Sequence, residues 1–182
     1  MIYLNERVKD CINRVYLNKD YRYFKEKSKQ SLVYLDELIN LVDSKCEKIN
    51  ILSLRNSPSV ELMFDFKKYA NDQFNVEYRT ILKISKIANI FFLQHEFSVD
   101  NLDPDKMMPN LNGFGGESYT ISQSKLDKEI TYFLEKKGVQ KLQIFEIDEV
   151  IYGLKMPEES IFGNQMKVED ALFRDLYDIC EE

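Results

Sequence analysis

Val76-Glu77-Tyr78-Arg79-Thr80-Ile81-Leu82-Lys83-Ile84-Ser85-Lys86-Ile87-Ala88-Asn89-Ile90-Phe91-Phe92-Leu93-Gln94-His95-Glu96-Phe97-Ser98-Val99 is the stretch whose reading decides the fold. Val76, Tyr78, Thr80, Leu82 and Ile84 alternate with Glu77, Arg79, Lys83 and Ser85. After a break at Ala88-Asn89, Phe91, Leu93, His95, Phe97 and Val99 alternate with Gln94, Glu96 and Ser98. A period of two gives each strand one apolar and one wet face. It predicts an antiparallel hairpin over about 76–99 with one side on a core.

On the N-terminal side the period changes. Leu4, Val8, Cys11, Ile12 and Val15 recur at helical spacing, and Leu32, Leu35, Leu38, Ile39 and Val42 make the stripe of a second helix, with Ser28 or Ser31 as its cap. Ile49 to Leu54 reads as a short strand, and Ser57-Pro58 as the start of a helix carrying Leu62, Met63, Phe66, Tyr69 and Ala70.

On the C-terminal side, residues 100–118 hold two Pro, three Gly and three Asn without a period, and read as a long loop. Strands are expected near 119–121, 139–147 and 150–153. A helix over about 124–137 carries Leu126, Ile130, Phe133 and Leu134, is capped by Ser124 with Asp127, and is closed by Gly138. A C-terminal helix over about 168–180 carries Val168, Ala171, Leu172, Leu176 and Ile179. Helices first, strands gathered in the middle and a helix last predict a single α+β domain, residues 1–182. Its central antiparallel or mixed sheet is covered by the helices on either side.

Composition narrows the class. Hydrophobic residues at 44% and charged residues at 31% are globular proportions across the 182 residues. The N-terminus meets charge at Glu6 and Arg7, and no run reaches the ~20 apolar residues of a membrane span. These features predict a cytoplasmic chain without a membrane segment. Cys11, Cys46 and Cys180 are odd in number and far apart, the pattern of free thiols. The net charge of −6 is uneven: residues 1–30 carry +4 and residues 140–182 carry −7. An acidic field steers basic partners and repels phosphates, so nucleic acid is not the expected ligand. The basic, aromatic stretch Arg14 to Lys29 lacks any accompanying nucleic-acid motif.

Motifs that would carry chemistry break off. His95, the only histidine, is followed by Glu96, but the second zinc-binding His of a His-Glu-x-x-His helix is replaced by Val99. Gly113-Phe114-Gly115-Gly116-Glu117-Ser118 lacks the Gly-Lys-Ser/Thr of a phosphate loop. Asn101, Asp103 and Asp105 begin a calcium loop, but Lys106 and Asn112 stand where Gly and Glu are required. No residue is assigned to catalysis, a cofactor or a metal, and the chain is expected not to be an enzyme.

Small, acidic and without a catalytic motif, the chain resembles bacterial toxin-neutralising immunity proteins in general make-up. That resemblance implies a basic protein partner such as a nuclease-like toxin. Glu146, Asp148, Glu149, Glu158, Glu159, Asp170 and Asp175 would then mask its cleft, with Phe114, Tyr152 and Phe162 as anchors. Two alternatives stand beside it. One is an enzyme whose dispersed site joins His95 to Glu146, Asp148 and Glu149; the other is a regulatory protein-interaction module.

Overall fold

The computed structural model describes residues 4–52, 56–103, 105, 110–157 and 164–180. Its frame is the expected hairpin, longer than its alternation suggested: β4 (Phe74–Ser85) and β5 (Ile90–Asn101) pair antiparallel from Phe74↔Asn101 to Ser85↔Ile90. Residues 86–89 make the turn. Asn89 closes it at φ 50°, in the left-handed region that Asn tolerates better than most residues.

The fold is α+β with a mixed sheet, as the element order predicted. β1 (Lys48–Ile51), β2 (Ser59–Asp65), β4, β5 and β6 (Asn110–Gly115) lie side by side, all antiparallel. β3 (Tyr69–Ala70) adds to β4, and β7 (Gln140–Lys141) runs parallel to the start of β5. β8 (Val150–Lys155) and β9 (Gln165–Lys167) form a separate ribbon.

Each face of the sheet has its own layer. α3 (Leu35–Val42) and α4 (Ile121–Lys136) cover one, where Leu38, Val42, Leu126, Ile130 and Leu134 meet Leu62, Phe64, Leu82, Ile84, Phe91 and Leu93. The other face is covered near the hairpin turn by α1 (Glu6–Ile12), the π-helical turn Asn13–Leu17, Phe24 of α2 (Tyr21–Lys29) and α6 (Val168–Phe173). These pack on Ile87, Ile90 and Phe92.

Several expectations fail for local reasons. No helix opens at Ser57-Pro58, because Val60, Leu62 and Phe64 alternate and are buried as an inner strand of the sheet, with Phe66 buried just past its end. The loop over 100–118 contains β6. Its glycine serves packing, since a Cβ on Gly113 would overlap the Phe97 ring across the ladder. The strand near 119–121 is absent. Thr120 is instead the cap of α4, its Oγ1 accepting from Gln123 N while Gln123 Oε1 accepts from Thr120 N.

Ser124 with Asp127 is therefore not the cap, and Ser28 lies inside α2, not at the start of α3. Of the strand expected over 139–147 only β7 forms, followed by the helical turn α5 (Ile144–Ile147). The strand near 150–153 exists as β8 but joins the ribbon. The C-terminal helix stops at Phe173, about seven residues before its expected end near 180.

Gly113→Val should strain the β5–β6 ladder and destabilise the chain by about 1–3 kcal/mol, the usual cost of overpacking. Urea unfolding reads this directly; an unchanged midpoint would show that Phe97 can move aside.

Candidate functional site

The hairpin register places Thr80 and His95 opposite each other, both on the face covered by α4. Each is fully buried. Two polar residues buried side by side must satisfy one another: Thr80 Oγ1 lies 2.8 Å from His95 Nδ1. The other ring nitrogen, Nε2, meets Asp127 Oδ2 at 3.0 Å and Ser118 Oγ at 3.2 Å.

α4 delivers the carboxylate. Gln123, Asp127 and Thr131 recur every four residues along it, so they form one polar stripe beside the apolar stripe Leu126, Ile130 and Leu134. Gln123, fully buried, pins the start of this stripe: its Nε2 donates to the carbonyls of Arg79 and Glu96, the neighbours of Thr80 and His95. Its Oε1 accepts from the amides of Tyr119 and Thr120, which follow Ser118. One amide thus fixes both strands and the serine-bearing segment against the helix.

Asp127 is held ionised. Lys141 Nζ, from β7, reaches both carboxylate oxygens at 2.7 and 2.8 Å, and Thr131 Oγ1 donates to Oδ1 at 3.0 Å. Burial pushes its pKa up, but the hydrogen bonds from His95 and Lys141, the Lys141 charge and Thr131 outweigh that and lower it to about 2.

Because the Thr80 hydroxyl can donate or accept, Nδ1 is satisfied in either neutral tautomer, but Nε2 meets the ionised Asp127 carboxylate favourably only when it carries the proton. With the proton on Nε2, His95 donates to Asp127 and accepts from Thr80. With the proton on Nδ1, it donates to Thr80, and Nε2 is open to the Ser118 hydroxyl proton. This differs from the usual serine triad, in which acid and nucleophile occupy opposite nitrogens. Here they share Nε2, so a proton taken from Ser118 arrives facing the Asp127 carboxylate. Ser118 and Asp127 are part-exposed and Lys141 also reaches solvent, whereas His95 and Thr80 lie beneath them.

The expectation that no residue serves catalysis, and that the chain is no enzyme, is therefore corrected. A histidine bonded to a carboxylate and to two hydroxyls is a catalytic-triad-like cluster. It conflicts with a purely binding, toxin-inhibiting immunity role. The dispersed-site alternative named this histidine, but the carboxylate bonded to it is Asp127, not Glu146, Asp148 or Glu149.

Of those acids, Glu146 accepts from Gln143 N to cap α5, and Asp148 pairs with Lys167 at 2.8 Å. The Glu149 carbonyl accepts from Val168 N. Asp170 caps α6 and pairs with Arg174, while Asp175 accepts from the amides of Ile179 and Cys180. Tyr152, 89% exposed on β8, and Phe114, 71% exposed on β6, belong to different sheets. Glu158, Glu159 and Phe162 lie outside the described residues. Asn101 and Asp103 accept from the amides of Asp103 and Asp105, which is turn chemistry.

Compared with known proteins, the chain matches no family model, no curated protein and no solved structure. Among the described residues, no helix is long and apolar enough to cross a membrane.

The depressed pKa of Asp127 sets a sign for acid stability. Its contribution is complete above the ordinary carboxylate value near 3.8 and is lost as pH falls towards about 2. Urea unfolding of the native chain should lose about 2 kcal/mol from this group over that interval. The Asp127→Asn variant, less stable at neutral pH, should lack that part of the decline. Parallel pH profiles for the two proteins would contradict the assignment.

Proposed function

We propose that the chain is a hydrolase or acyl-transfer enzyme in which Ser118 is the nucleophile, His95 the base and Asp127 the group that holds the charge of the imidazolium. One observation carries this reading: His95 Nε2 stands within hydrogen-bond reach of both a part-exposed serine hydroxyl and an ionised carboxylate. Thr80 also touches the ring, but it is fully buried, so Ser118 is the hydroxyl a substrate can reach.

Ser118 Oγ attacks the carbonyl carbon of an ester, thioester or amide as its proton passes to Nε2. The resulting imidazolium donates to Asp127 from Nε2 and to Thr80 from Nδ1. It then returns the proton to the departing alcohol, thiol or amine, leaving an acyl-serine. Water repeats the sequence in the hydrolytic half, with His95 again accepting a proton and returning it to Ser118. Lys141 keeps Asp127 ionised throughout.

A hollow of about 390 Å³ near this end of α4 is lined by Thr120, Ser122, Tyr78, Phe66, Cys46 and Lys67 among others. Thr120 is two residues from Ser118, and Tyr78 two residues from Thr80 on the same strand face. A cytoplasmic setting fits the three free cysteines.

A fluorophosphonate probe tests the assignment without knowledge of the substrate. The native chain should acquire one phosphonyl group, mapped to Ser118 by peptide mass. Ser118→Ala should abolish labelling while leaving the melting temperature nearly unchanged. Asp127→Asn should slow it by about 10²-fold or more, the scale of lost acid/base assistance. A native, folded chain that is not labelled at Ser118 would refute the reading, and so would labelling indifferent to Asp127.

A further inference from the structure

β6 is the edge of the sheet beside the histidine cluster. Gly115, its last residue, pairs with His95, and Ser118 follows in the short segment that leads to α4. The other edge, β1, is separated from β5 by β2 and β4.

The register tells which backbone groups of β6 are unpaired. In an antiparallel sheet alternate residues turn their N–H and C=O to one neighbouring strand, and the residues between turn theirs to the other. Leu102 N donates to Gln73 O where the β4–β5 ladder ends, so the even-numbered residues of β5 bond to β4. The odd-numbered ones face the other way, in keeping with the bonds from Gln140 N to Asn89 O and from Leu142 N to Phe91 O. Their partners in β6 are Leu111, Gly113 and Gly115. Asn112 and Phe114 therefore turn N–H and C=O outwards, and among the described residues no strand pairs with that edge.

Edge strands are commonly blunted by charge, proline or a bulge. Asn110 to Gly115 holds no charged residue and no proline, and its register to β5 runs without a shift, whereas β1 carries Lys48. Both faces beside β6 also leave room. Gly113 and Gly115 put no side chain on the face that carries His95, so an added strand can lay its own there. On the other face the exposed Phe114 and Asn112 line a hollow of about 270 Å³ with Glu77, Arg79, Glu96 and Ser98, which suits the side chains that alternate to that side.

We propose that the substrate is an extended polypeptide that adds to β6 as a further strand and presents a peptide bond to Ser118. This rests on Ser118 being the nucleophile, and it selects the amide among the acyl compounds that reading allows. Main-chain bonds to Asn112 and Phe114 supply the affinity, so unfolded segments are taken and folded ones are not. Ser118 Oγ forms a C–O bond as the C–N bond breaks, and the departing amine takes the proton held on His95 Nε2. Water then releases the acyl segment as a carboxylic acid and returns the proton to Ser118.

Casein, an unfolded polypeptide, is the probe, and two measurements with the full chain separate docking from chemistry. In the Ser118→Ala chain, which cannot cut it, casein should slow amide hydrogen exchange several-fold at Asn112 and Phe114, read residue by residue by NMR. Leu111, Gly113 and Gly115, already bonded to β5, should change little. In the native chain casein should be cleaved and should slow fluorophosphonate labelling of Ser118. Asn112→Pro removes one outward N–H without touching the ladder to β5. Measured against the variant's own labelling rate without casein, that protection should fall several-fold. Exchange at Asn112 and Phe114 indifferent to casein would overturn the proposal, as would equal protection in Asn112→Pro, or slowing of both amides by raised protein concentration alone, which would mean that a second copy covers β6. Protection at both amides in a chain whose Ser118 the fluorophosphonate does not label would support the docking edge and overturn the cleavage step.

Discussion

The register of β4 against β5 is the constraint on which the rest depends. Because side chains alternate, a slip of one residue would exchange the two faces of the moved strand. Here it would drive Lys83 or Glu96 into the layer under α4 and separate Thr80 from His95. Apolar burial on both sides resists any slip: Leu82, Ile84, Phe91 and Leu93 serve one core, and Ile90 and Phe92 the other. The same register that packs the core sets the position of the histidine cluster. Thr80, His95 and Asp127 therefore rest on strands and a helix, which hold geometry better than loops do, while Ser118 lies in the short segment joining β6 to α4.

Burying polar groups between those layers requires partners for each, and the chain supplies them with single side chains placed at layer boundaries. Gln123 does so for the helix–sheet contact beside His95. At the end of α6 three hydroxyls do the same. Tyr16, Ser85 and Ser59 donate to the carbonyls of Ala171, Leu172 and Phe173, which a helix terminus leaves without intrahelical partners. A six-residue helix can thus end inside the protein, and Lys83 with Glu169 adds an ion pair at 2.6 Å from the sheet. Ser28 stands out against this background because its hydroxyl lacks such a partner among the described residues.

Alternation is a local property, and so the hairpin was legible, including the placement of Thr80 and His95 on its inward face. β2 was misread because Leu62, Met63 and Phe66 also fit a helical stripe, and Ser57-Pro58 offered a helix start. Only the pairing of Leu62 with Leu82 and of Phe64 with Thr80 decides the matter, and that is a contact between distant residues. β6 escaped notice because Asn110 to Gly115 has poor strand propensity and is held by a ladder to β5. The site was half visible. Gln123, Asp127 and Thr131 at intervals of four beside an apolar stripe mark a polar seam turned towards the interior. Ser118 carried no signal, since its approach to His95 depends on β6 returning along β5.

The weight of acidic residues near the C-terminus suggested a docking face, yet the seven acids proposed for it are a poor guide to chemistry. Four of those described, Glu146, Asp148, Asp170 and Asp175, are engaged locally, in the caps of α5 and α6, in ion pairs with Lys167 and Arg174, and in the fold of the last turns. Asp127 contributes nothing to that bias in charge. It sits between two lysines, Lys125 and Lys128, in a helix of mixed sign. What distinguishes it is that burial and a cation act on it together, the first opposing ionisation and the second enforcing it, so that the carboxylate stays charged where water is scarce. A charge retained at that cost beside a buried imidazole acts strongly on any proton the ring accepts, because little solvent lies between them to screen the pair. The local environment of one carboxylate therefore says more about reactivity than the net charge of residues 140–182.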